Sequence, residues 1–111
     1  MSEFIYLYRG GGRPESPEDG ERVMQAWMTW LQDLAAKGHM KDRGQPLDAE
    51  GKVVRGSNGN VTDGPFAEAK DLVGGYSVIE ANDLEQAAQL ARGCPIFERG
   101  GVVEVRPVMK M

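Results

Sequence analysis

Residues 3 to 8 read Glu-Phe-Ile-Tyr-Leu-Tyr, a short run rich in aromatic and branched side chains. Such a run favours an extended strand. Phe4, Tyr6 and Tyr8 fall on one side at period two, and Ile5 and Leu7 fall on the other. A strand apolar on both sides needs a cover on both sides. That need restricts the chain to layered folds and already asks what the second cover is.

The period then changes. Arg9 to Pro14 is a glycine-rich loop, Gly10-Gly11-Gly12. Ser16 precedes Pro17, Glu18 and Asp19, which marks a helix start: a hydroxyl cap, proline in the first turn and acids at the positive end of the dipole. The helix is expected to run to about Lys37, where Gly38 ends it. Val23, Trp27, Trp30, Leu31 and Leu34 share one face, and Met24 and Met28 widen the apolar arc. So wide an arc implies that the helix touches more than the sheet beneath it.

Residues 39 to 47 are expected to form a second strand. Lys52 to Arg55 and Val61-Thr62 flank Asn58-Gly59, the turn pair that hairpins favour. Val73 to Ala81 is the clearest strand, with Tyr76 and Val78 facing one way and Ser77 and Ile79 the other. Asn82 or Asp83 caps a second helix, with Leu84, Ala87, Ala88 and Ala91 as its stripe; Gly93 and Pro95 end it. Gly101 to Val108 is the last strand. The order β-α-β-(hairpin)-β-α-β predicts one α+β domain over residues 1–111, the ferredoxin-like arrangement of a four-stranded antiparallel sheet with two helices on one face. The other face is left bare. A second copy of the chain laying its sheet there is the simplest cover, so a homodimer through sheet faces is expected.

Composition removes several functions. The chain has 111 residues and a net charge of −4, without the basic footprint of a nucleic-acid binder. No apolar run approaches the roughly 20 residues that span a bilayer. Met1-Ser2-Glu3-Phe4 starts no secretory signal, and the single cysteine, Cys94, fits a reducing compartment; a cytoplasmic location is expected. Gly10-Gly11-Gly12 lacks the lysine and hydroxyl of a phosphate loop, and His39 has no second histidine or carboxylate at a metal-ligand spacing. No cofactor and no metal are expected.

The stretch Val61-Thr62-Asp63-Gly64-Pro65-Phe66-Ala67-Glu68-Ala69-Lys70-Asp71, followed by Gly74-Gly75-Tyr76, resembles the signature of the YCII-related family. More narrowly, it resembles the branch named for its Asp-Gly-Pro-Phe motif. The Leu47–Gly51 turn, the 82–93 helix and Val103-Glu104-Val105-Arg106-Pro107 resemble the same branch, so the likeness covers nearly the whole chain. It implies a ferredoxin-like fold dimerised into an α/β barrel. It also implies a His–Asp pair in a cleft, proposed for the family to be enzymatic. Asp63 matches that aspartate. The family's histidine belongs near the start of the first helix, where this chain reads Arg22-Val23-Met24-Gln25-Ala26-Trp27. Association with extracytoplasmic-function sigma factors is a further implication.

The candidate residues each have two readings. Asp63 is either a general base or a carboxylate that fixes the Gly-Pro turn. His39, past the helix end, is either a proton carrier or a cap on the last carbonyls. Gly64, Pro65 and Phe66 either wall a pocket or rigidify and underpin the loop. Tyr6, Tyr8 and Tyr76 either line a cavity and offer hydroxyls, or pack in the core or a dimer contact. Cys94 has no sequence partner as a nucleophile and reads as a packed thiol. Two functions stay open. One is a small-molecule binder, or an enzyme of isomerase, lyase or hydrolase type, with Asp63 as acid/base over a small organic ligand. The other is a non-catalytic regulatory protein linked to a sigma factor.

Overall fold

Strand β1 (Ser2–Arg9) buries Phe4, Tyr6 and Tyr8 and leaves Ile5 and Leu7 half-buried, the period-two split that its sequence requires. This computed structural model describes residues 1–111, the side chain of Ala69 excepted. Helix α1 (Pro17–Ala36) starts where expected: the Ser16 hydroxyl accepts from the Asp19 N–H, and Pro17 opens the first turn. Strand β2 (Met40–Asp42) follows. A hairpin of β3 (Gly51–Arg55) and β4 (Asn60–Gly64) comes next, then β5 (Val73–Ala81), α2 (Leu84–Ala91) and β6 (Val102–Pro107).

The sheet order is β2-β5-β1-β6, with every neighbouring pair antiparallel. Both helices lie on the side of Phe4, Tyr6 and Tyr8, so the fold is ferredoxin-like as the element order predicts. On the opposite side the register pairs Ile5 with Val78 and Leu7 with Tyr76, an apolar strip that stays half-buried.

The two helices approach the sheet differently, and side-chain size explains it. Helix α2 presents Ala87 and Ala91, both buried, and lies close against β1, β5 and β6. The Tyr6 hydroxyl crosses that short gap and donates to the Ala87 carbonyl at 2.5 Å. Helix α1 presents indoles. Trp30 stacks on Tyr6 with ring centres 6.1 Å apart, and Trp27 meets Tyr8 edge-on at 4.8 Å. Rings of this bulk hold α1 away from the strands.

Two local expectations shift, the length of β2 and the packed stripe of α2. Strand β2 stops at Asp42, because Gly44 adopts a φ of +73° and breaks the extended run; the chain rejoins β5 only at a Pro46–Gly75 bridge. Asp83, one of the two caps the sequence offers, starts α2: its side chain accepts from the Gln86 N–H, and the Gln86 side chain accepts from the Asn82 N–H. Leu84 and Ala88 are exposed, so the packed stripe of α2 is Ala87, Leu90 and Ala91. A short 3₁₀ turn at Pro95–Arg99 tucks Ile96 into the core.

Strands β3 and β4 pair only with each other, in the register Val53 to Thr62 and Val54 to Val61. They form an arm outside the four-stranded sheet. The radius of gyration is 15.5 Å, against roughly 13 Å for a compact chain of this length. Val54 and Val61 stand exposed on the arm.

Candidate functional site

Because α1 stands off the sheet, a cavity of about 860 Å³ remains beneath it. That lies within the size range of small-molecule sites. Its apolar wall comes from α1, through Val23, Met24, Trp27, Met28 and Leu31. The floor is the near end of β5, Gly74 to Ser77, with Tyr8 of β1 beside it. Gly10-Gly11-Gly12 and the 43–46 segment form the sides, and Ile96 and Arg99 of the 3₁₀ turn close one end. Met24 is largely exposed, so the wide apolar arc of α1 finds its explanation in this cavity.

The polar groups of the floor are ordered by one short chain of hydrogen bonds. The Tyr8 hydroxyl donates to the Ser77 hydroxyl at 2.8 Å, and Ser77 donates to the Arg43 carbonyl at 2.6 Å. Both protons are committed along that chain. What Tyr8 has left to offer a ligand is an acceptor lone pair. Burial raises the Tyr8 pKa well above the usual tyrosine range, partly offset by its bond to Ser77, so Tyr8 stays a neutral phenol at any ordinary pH. Tyr6 is raised for the same cause and serves the core. Burial pushes the Cys94 thiol up to about 12, which removes it as a nucleophile near neutral pH.

The 43–46 segment is fastened to β5. Gln45 accepts from the Tyr76 N–H at 3.3 Å, Leu47 donates to the Gly74 carbonyl at 2.9 Å, and Asp42 accepts from the Gly44 N–H at 2.8 Å. A Cβ on Gly44 would lie 1.7 Å from the Tyr76 carbonyl oxygen. Only glycine allows this approach.

Tyr8 and Tyr76 therefore border the cavity, Tyr76 from the strand residue whose register places its ring towards the opposite face. Tyr6 does not border it. Nor do Asp63, Gly64, Pro65 and Phe66, which lie on or just beyond the arm. The Asp63 carboxylate is 88% exposed and pairs with Lys52 of the facing strand at 2.5 Å. Phe66 is 78% exposed, with Arg55 5.2 Å over its ring. The Gly64–Pro65 peptide is cis. His39 sits between α1 and β2: its Nδ1 lies 2.8 Å from the Glu80 carbonyl, its N–H donates to Leu34, and its carbonyl accepts from Glu80. Asp63 and His39 are thus not brought together within one chain. Among the described residues no cluster of His, Cys, Asp or Glu is arranged to hold a metal ion, and no helix is long and apolar enough to cross a membrane.

An exposed ion pair such as Lys52–Asp63 contributes about 0–1 kcal/mol. Asp63→Asn is therefore expected to leave the melting temperature within a few degrees of wild type. A larger fall in a calorimetric scan would show that the carboxylate fixes the turn after all.

The sequence reading did not single out Arg43 or Arg99 as site residues. Arg99 belongs to a 3₁₀ turn with no periodic signature, and Arg43 reaches the cavity only because Gly44 turns the chain there. The local signs of the cavity are Tyr8, Tyr76 and the two methionines of α1.

Among curated proteins none matches this chain. Among solved structures it is similar to the 5-chloro-2-hydroxyhydroquinone dehydrochlorinase (TftG) from Burkholderia phenoliruptrix AC1100 in complex with 2,5-dihydroxybenzoquinone. The identity is 18% and the TM-score 0.47, over 100% of this chain and 96% of that one. The sequence model of the YCII-related domain matches residues 5–111. The chain belongs to the YCII-related family.

Proposed function

We propose that this protein binds a small, largely apolar organic molecule in the cavity beneath α1. The observation that carries the reading is the lining itself: an indole, two methionines and a phenol surround a few ordered polar groups. Apolar walls with a small number of fixed polar atoms are the usual build of a small-molecule site. Trp27 and Tyr8 favour a planar ring, and the free lone pair of Tyr8 favours a ligand hydroxyl or N–H.

The protein works as a homodimer in this reading. A second copy covers the strip of Ile5, Leu7, Tyr76 and Val78, and gives the exposed valines of the arm something to meet. Acid/base chemistry falls to Asp63, which stands exposed on the arm outside its own chain's cavity.

Protein NMR with 4-hydroxybenzamide as the probe tests the binding. Amide shifts confined to the lining segments, residues 8–12, 23–31, 43–46 and 74–77, are expected; a saturating titration with no shift there would refute the reading. Light scattering at micromolar concentration tests the dimer, and a monomer mass would refute it. The role of Asp63 is tested with Asp63→Asn: loss of acid/base turnover with ligand binding retained supports it, and turnover equal to wild type refutes it.

A further inference from the structure

Arg43 sits at the mouth of the cavity with an exposed side chain, and it differs from the other cations around it. Lys41 is paired with Glu3, and Arg99 with Asp19. The one carboxylate of the lining, Asp42, is occupied by the Gly44 N–H. Among the described residues Arg43 forms no ion pair. Its Nη2 instead donates to the Met28 thioether at 2.8 Å. Sulfur is a weak acceptor, whereas a guanidinium and a carboxylate meet through two parallel charge-assisted bonds.

The backbone beneath Arg43 is held more firmly than its side chain. Its carbonyl takes the Ser77 proton, and the next residue is locked against Tyr76. A cation with a fixed base and an exchangeable weak partner is arranged to take an anion that arrives with the ligand.

Resting on the reading of this cavity as a ligand site, we infer that Arg43 selects ligands bearing a carboxylate: small aromatic or similarly flat organic acids, ring inward, acid group at the mouth. The ring lies against Trp27 and Tyr8. The carboxylate displaces the Met28 sulfur from Arg43. Neutral ligands of the same shape occupy the cavity without that contact.

Calorimetric titration with 4-hydroxybenzoate and its near-isosteric amide, 4-hydroxybenzamide, tests this. Wild type is expected to bind the acid roughly tenfold or more tightly than the amide, as a charge-assisted pair would give. Raised salt should narrow the difference. In Arg43→Gln the two ligands should bind alike. Equal binding of both ligands to wild type would overturn the inference and leave the cavity reading standing. A preference for the acid that persists in Arg43→Gln would overturn it too, by assigning the carboxylate to another cation. Binding of neither ligand would overturn the cavity reading and this inference with it. Arg43 is exposed, so the variant is expected to melt with wild type, and a melting scan verifies that the comparison is between folded proteins.

Discussion

Gly44→Ala is expected to destabilise the protein by about 3 kcal/mol or more, one of the heaviest losses available from a single added methyl. Two costs combine. The φ of +73° strains any residue with a Cβ. The new Cβ would also lie 1.7 Å from the Tyr76 carbonyl oxygen, a backbone atom that cannot rotate away. Something must shift, and the elements available are the 43–46 segment and the near end of β5. Both border the cavity. The melting temperature should fall by roughly 10–25 °C for a domain of this size. Ligand affinity should weaken even at temperatures where the variant stays folded. A circular-dichroism melt within a few degrees of wild type would show that the close approach of Gly44 to β5 is not a feature of the protein in solution.

Leu34→Ala is expected to cost about 3 kcal/mol, within the range for a buried leucine truncated to alanine. Leu34 is nearly inaccessible and lies in the core between α1 and the sheet, one turn beyond the cavity wall. The loss combines the burial of its methyl groups with the hole they leave. Its functional consequence differs from that of Gly44→Ala. Leu34 does not border the cavity, so ligand affinity measured well below the variant's melting temperature should equal wild type. Urea unfolding and a parallel titration separate the two quantities. A variant that loses affinity in step with stability would mean that the cavity has no rigidity of its own.

Much of the fold was legible because its strongest elements are local. Phe4-Ile5-Tyr6-Leu7-Tyr8 carries period two in its own side chains, and β1 forms there. Ser16-Pro17 caps α1, and the Asn58-Gly59 pair sets a hairpin whose register follows. Expectations failed where a distant group decides the outcome. Strand β2 is short because Gly44 turns against Tyr76, a residue 32 positions away in the chain. The stripe of α2 was misaligned because Leu84 looked like a core residue, while packing against β5 and β6 selects Ala87, Leu90 and Ala91.

The site was harder to see. Its lining comes from separated segments: the glycine loop, α1, residues 41–46, the start of β5 and the 3₁₀ turn. No spacing in the sequence joins them. Tyr8 and Tyr76 were singled out and do border the cavity; Tyr6, two residues from Tyr8 on the same side of β1, spends its hydroxyl on Ala87 instead. Asp63 drew attention through its motif, and the structure places it on an arm, paired with Lys52 and facing solvent. The surplus of apolar residues on α1 is a local sign of this cavity. Met24 and Met28 exceed what one sheet can cover, and soft, unbranched side chains of this kind suit a surface that adapts to a ligand.

In the proposed function, the space beneath α1, and not the arm, receives the ligand. A crystal structure of the protein grown with 4-hydroxybenzoate tests it most directly. The expected density is a ring against Trp27 and Tyr8, its hydroxyl towards Tyr8 and its carboxylate on Arg43. A ligand found beside Asp63 on the arm, with the space beneath α1 filled only by water, would contradict it.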